Sequence, residues 1–113
     1  CGDSLLEASA LAVLGPDIIV AEPAELIGTG VSVGPEYVQA ATDAVKRINP
    51  SILVLTAAGI ANGDDVYNTV YAGADATGTS SGIAKLSTRE ARAAMVDEMI
   101  SAVRRAWDDR HNN

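Results

Sequence analysis

A chain of 113 residues is long enough for one domain with a modest core and too short for two. Its formal charge of −7 argues against nonspecific binding to nucleic acid or to an anionic membrane surface. One cysteine excludes an internal disulfide, one histidine makes a zinc site unexpected, and 48% hydrophobic residues without a single Phe require a core of Ala, Val, Ile and Leu.

The elements follow in order. Asp3 or Ser4 is suited to cap a first helix, LLEASALAVL, whose Leu5, Leu6, Ser9, Ala12 and Val13 lie near one face. Gly15-Pro16 ends it. The apolar run Ile18-Ile19-Val20-Ala21 reads as a strand buried on both faces, and it stops abruptly at Glu22. A carboxylate at that junction is costly to bury unless it finds partners. Pro23 to Gly30 is a loop with a stiff start at Pro23 and permissive glycines at Gly28 and Gly30.

Gly34-Pro35 opens a second helix, with Tyr37, Val38, Ala41, Val45 and Ile48 inward and Asp43, Lys46 and Arg47 outward. Asn49-Pro50 stops it. Residues 51–58 (SILVLTAA) form a second apolar strand that turns at Gly59. Asn62 to Asp65 make a turn with helix-start charges, followed by a short helix over 66–72. Residues 74–79 (ADATGT) take the next strand position on the alternation of elements, since Gly78 and two Thr make a weak strand. Ser80-Ser81-Gly82 leads to a last helix over about 88–107, capped by Ser87 or Thr88, and 110–113 form a polar tail. The order α-β-α-β-α-β-α with short loops demands a parallel sheet with right-handed crossovers, which doubly wound sheets and (β/α)8 barrels both satisfy. No apolar run reaches membrane-spanning length and no signal peptide is visible, so a cytoplasmic protein without a membrane partner is expected.

The stretch Ala21-Glu22-Pro23-Ala24-Glu25-Leu26-Ile27-Gly28-Thr29-Gly30 resembles the sixth strand and loop of the triosephosphate isomerase family, in its archaeal branch, where the pattern runs VEPPELIGTG. Ala24 stands where that pattern has a second Pro. The resemblance chooses the barrel: residues 1–113 are expected to be one partial (β/α)8 domain, the C-terminal half from the end of strand five to helix eight. Cys1 matches the family's cysteine at the end of strand five, so the chain reads as the back half of a longer protein. By resemblance, Glu22 is the catalytic base and residues 22–30 are the lid that grips phosphate, Gly28 among them.

Barrel active sites lie at the carboxyl ends of the strands. After the second strand stands Thr56-Ala57-Ala58-Gly59-Ile60 against the family's CGAGI; after the third stands Thr79-Ser80-Ser81-Gly82-Ile83 against LASGV. Gly59, Ser80, Ser81 and Gly82 are thus the expected phosphate ligands, through backbone amides that small residues leave accessible. Ala57 replaces a family glycine, and a positive φ there costs about 1 kcal/mol or more.

The implied reaction interconverts glyceraldehyde 3-phosphate and dihydroxyacetone phosphate, a glycolytic and gluconeogenic step, with neither metal nor cofactor. The family's electrophilic His and its Asn-x-Lys fall outside this chain, and His111 is too far along to replace the former, so the chain alone is expected to be inactive. The expected partners are a small phosphorylated sugar and either the missing N-terminal half or a second copy. Two alternatives stay open: a non-catalytic half-barrel that serves assembly, and a related sugar-phosphate isomerase. Glu22 as a rim residue and SSG as a plain turn are their local counterparts.

Overall fold

Two short parallel strands organise the fold: β1, Ile18–Ala21, and β2, Leu53–Thr56, paired Ile18 to Leu53 through Ala21 to Thr56. The structure, a computed structural model, describes residues 1–112; Asn113, the last residue of the expected polar tail, lies outside the described residues. Single parallel bridges extend the ladder on both sides, Gly2 to Ala21 and Leu55 to Ala76. The chain is therefore α/β with a parallel sheet, and backbone pairing runs in the order Gly2, β1, β2, Ala76.

The expected third strand does not form; only Ala76 pairs. A side chain takes part of the ladder's place. Asp75 accepts the Val54 amide at 2.9 Å through Oδ2, and the Asp75 amide donates to Val54 O, also at 2.9 Å. Gly78 and the flanking threonines add little drive to extend the pairing.

Among the described residues, five α-helices pack around this ladder. α1 is Leu5–Ala12, α2 Pro35–Ile48, α3 Gly63–Tyr71, α4 Ser81–Ala84 and α5 Arg89–His111. The expected caps form at α1 and α5: Ser4 Oγ accepts from the Glu7 amide at 3.1 Å, and Thr88 Oγ1 from the Ala91 amide at 3.0 Å. At α3 the cap is Asn62, which accepts from Asp65 N at 3.0 Å and starts the helix earlier than expected.

Several inward faces differ from expectation. α1 buries Ala8 and Ala12, while Leu6 and Val13 stay exposed. The helix is apolar nearly all round, so periodicity cannot choose its face, and the alanines allow the closest approach to β1 and α2. In α2, Val38, Ala41 and Val45 are buried, but Ile48 is exposed and Lys46 turns inward. Lys46 Nζ reaches Asp75 Oδ2 at 2.8 Å and Ile52 O at 2.7 Å. α5 continues past Trp107 to His111 because its end is held on α3: Arg110 donates to Val70 O at 2.6 Å and Ala74 O at 3.1 Å, and Tyr67 donates to Asp109 at 2.8 Å.

Neither strand is buried on both faces. Ile19, Ala21, Val54 and Thr56 point into the core with Ala8, Ala12, Ala41 and Val45. On the opposite face Ile18 and Leu53 are 53% and 48% exposed, and Val20 and Leu55 are half-buried. A second cluster, Ile60, Val66, Met99 and Ala102, fastens α3 to α5. No helix among the described residues is long and apolar enough to cross a membrane.

Asp75 joins a cation, a strand amide and the sheet edge in one half-buried place, which sets a prediction. Asp75→Ala strands the Val54 amide and leaves the Lys46 ammonium only Ile52 O, at a cost of about 2 kcal/mol, and Lys46→Ala costs about half of that. Urea midpoints of the two variants, compared with the parent chain, check both the size and the order.

Candidate functional site at the carboxyl ends of the strands

Because the strands are parallel and in register, their carboxyl ends open on the same edge. Glu22 follows β1 there, half-buried, its amide held by Gly2 O at 3.0 Å. One residue further along the other strand, the Ala57 amide donates to Ala21 O at 3.4 Å. The loops that leave the strand ends meet around a small cleft of about 30 Å³, room for on the order of one or two waters. Glu22, Ile27 and Gly28 line it from the first loop, Ala58, Gly59 and Ile60 from the second, and Gly78, Thr79, Ser80 and Ser81 from the third. Of the larger hollows, one of about 270 Å³ along α5 is mostly apolar and shares Ile60, Gly78 and Thr79 with the cleft, and none touches Glu22, Gly28 or Gly59.

The β1–α2 loop is bonded to itself. Ala24–Leu26 make a 3₁₀ turn, with Leu26 N donating to Pro23 O at 3.1 Å and Ile27 N to Ala24 O at 3.3 Å. Thr29 closes the tip: its hydroxyl donates to Leu26 O at 2.8 Å and accepts the Val31 amide at 3.1 Å. Gly28 and Gly30 supply the two left-handed residues, φ 73° and 75°. Glu25 faces water. Beside the loop's start, Tyr37 borders a hollow with Asp3 and Glu25; burial, then the negative charge of Glu25 and of Asp3, raises its phenol above the ordinary value.

The β2–α3 loop carries the strain, though not where the sequence comparison put it. Ala57 has no positive φ; Ala58 does, at 90°, followed by Gly59 at 71°. The methyl of Ala57 is therefore not the one that conflicts with the backbone. A Cβ on Gly59 would lie 1.8 Å from Val31 O, so this glycine is needed twice, for its φ and for the passing backbone.

Thr79 binds the third loop to the second. Its hydroxyl donates to Ile60 O at 2.7 Å and accepts the Gly82 amide at 3.2 Å. Gly82 thus does not line the cleft with Ser80 and Ser81: its amide is engaged and its Cα packs on the backbone, with a Cβ position 2.8 Å from Ile60 O. Of the expected residues, the structure brings Glu22, Gly28, Gly59, Ser80 and Ser81 together and leaves Gly82 beneath them. Sequence reading missed two connectors. Thr79 is one; the other is Asp65, which accepts Ala61 N at 2.9 Å and Ser32 Oγ at 3.3 Å. His111 stacks on Trp107 and lies outside the cleft, while Cys1 is exposed.

A carboxylate at a parallel strand end, faced by two small-residue loops and bordered by a glycine-bearing loop, defines an α/β protein whose site sits at the carboxyl edge of its sheet. The family model described as triosephosphate isomerase matches residues 3–103. Among curated relatives, a triosephosphate isomerase of Methanothermobacter thermautotrophicus is 43% identical over 86 residues, covering 74% of this chain and 38% of the relative. That of Methanocaldococcus jannaschii is 41% identical over 93 residues, covering 80% and 42%, and that of Sulfurisphaera tokodaii 39% over 93 residues, covering 80% and 40%. The chain belongs to the triosephosphate isomerase family, and it spans about two fifths of the length of these relatives.

Two glycines of like φ but unlike surroundings give the site's own prediction. Gly28→Ala, where no atom stands within 4 Å of the new methyl, costs about 1 kcal/mol from conformation alone. Gly59→Ala adds a collision with the Val31 carbonyl and costs about 3 kcal/mol. Denaturation of both variants checks it; equal losses would mean that the contact with Val31 carries nothing.

Proposed function

We propose that the complete protein interconverts glyceraldehyde 3-phosphate and dihydroxyacetone phosphate, with Glu22 as the base. Glu22 takes a proton from the carbon beside the carbonyl, an enediol forms, and the proton returns to the neighbouring carbon. The net change is an isomerisation that needs no cofactor. Gly28, Gly59, Ser80 and Ser81 border the phosphate, with Gly82 and Thr79 supporting them from below. The loop over 22–30 serves as a lid that excludes water during the proton transfers; triosephosphate isomerase is itself a standard instance of such closure. The electrophile and the phosphate-side lysine come from the rest of the barrel, so the chain alone turns over little or no substrate.

The observation that carries this reading is the convergence of Glu22 with three loops at one edge of a parallel sheet. A second reading, a half-barrel whose role is assembly, draws on the exposed Ile18 and Leu53 and on ladders ending in lone bridges at Gly2 and Ala76. Both readings require the open face to be covered. Sedimentation of the isolated chain is expected to show association, with itself or with an added N-terminal half, because an uncovered parallel edge and apolar face favour pairing. A monodisperse monomer that melts cooperatively would sink that expectation.

Glu22 separates the two readings in the assembled protein. Glu22→Gln keeps the shape and removes the base; Glu22→Asp withdraws the carboxylate by one methylene, and a shift of about 1 Å costs on the order of a hundredfold. Both variants are expected to fold normally and to lose turnover by about that factor or more, the Gln variant at least as heavily. A rim role predicts instead a lower Tm with turnover per folded molecule preserved. Turnover and Tm measured on both variants decide between them.

A further inference from the structure

We propose that Asp65 is a positioning residue: it latches the exit of the β1–α2 loop to the β2–α3 loop and so holds one border of the cleft against the other. This rests on reading the β1–α2 loop as a lid. The geometry is specific. Asp65, half-buried in the first turn of α3, spends one carboxylate oxygen on the Ala61 amide at 2.9 Å and the other on Ser32 Oγ at 3.3 Å. Those partners lie on different loops, and Ser32 is 33 residues away along the chain. Ser32 follows Val31, whose carbonyl passes directly over Gly59. One carboxylate therefore spans the place where the lid's exit crosses the loop that lines the cleft.

The reason for a carboxylate is that it accepts two donors at once and, being charged, makes each bond stronger than a neutral acceptor would. A residue needed only to favour the start of α3 would not have to face inward, and its neighbour Asp64 does that work while exposed. The lid proper is tied internally through Thr29, whereas Ser32 lies just beyond it. Motion of the loop as a unit thus has its exit pivot fixed at Ser32, and the latch sets how far that end travels.

The test uses the full protein and reads backbone amide exchange over residues 24–32, without substrate. Ser32→Ala removes only the lid-side donor and leaves the Ala61 bond to Asp65 intact. Exchange of that segment is expected to rise roughly fivefold, the share of one ordinary hydrogen bond. Ser32→Thr, which keeps the hydroxyl, is expected to return the parent rate. Asp65→Ala should in addition speed exchange at Ala61. Exchange that stays at the parent rate in Ser32→Ala overturns the latch, as does a Thr variant as fast as the Ala variant. The exchange readout needs no turnover, so it judges the latch separately from Glu22. Where the parent isomerises, KM for the triose phosphate is expected to rise about fivefold in Ser32→Ala with kcat changed less; a raised KM without faster exchange counts against the latch.

Discussion

The arrangement depends on the in-register parallel pairing of β1 with β2. Ala21 faces Thr56, so Glu22 and Ala57 emerge side by side at one edge. An antiparallel pair would have put the two strand ends on opposite edges, and a slip of one residue would have turned Ile19 and Ala21 away from the core. The buried alternation of Ile19, Ala21, Val54 and Thr56 against the alanines of α1 and α2 resists that slip. Packing energy in the body of the domain thus fixes the level at which a carboxylate meets a glycine turn.

What lies above the strands is held differently. The loops bury Val33, Ala57, Ala58 and Ile60, and between them run a few directed contacts: Thr29 within the first, Asp65 between the first and second, Thr79 between the second and third. Each connector is a short polar side chain bound to backbone or hydroxyl, which fixes geometry without a large hydrophobic contribution. Gly59 gives the same network its tightest point, since the backbone of Val31 occupies the space of its absent side chain.

How much of this the sequence disclosed follows the range of each interaction. Glu22, the loop after it and the caps at Ser4 and Thr88 depend on residues within a few positions and were legible. The extension of α5 to His111 is not, because Arg110 finds its carbonyls at Val70 in α3 and at Ala74 just beyond it, 40 and 36 residues away. Lys46 looked like a solvated charge until Asp75 and Ile52 O came beside it. The third strand was read from the alternation of elements, and its poor composition told more truly that only Ala76 would pair. Two adjacent alanines hid which one takes the left-handed turn, and the structure assigns it to Ala58. In the sequence Asp65 is a charge at a helix start; its bond from Ser32, 33 residues away, is tertiary and leaves no local signature.

Charge poses the last constraint. Among the described residues lining the cleft, Glu22 alone is ionisable, and the chain as a whole carries −7. A phosphorylated ligand approaching it meets repulsion from that field, and the nearby attraction is limited to amide and hydroxyl dipoles on the small-residue loops. Such dipoles act within a few ångströms and are effective only when water is kept out. On the proposed reading, it is the β1–α2 loop, closing over the ligand, that keeps water out. That loop is bonded to itself, starts at the buried Pro23 and is tied at its exit through Ser32, so its own contacts hold it together as one piece.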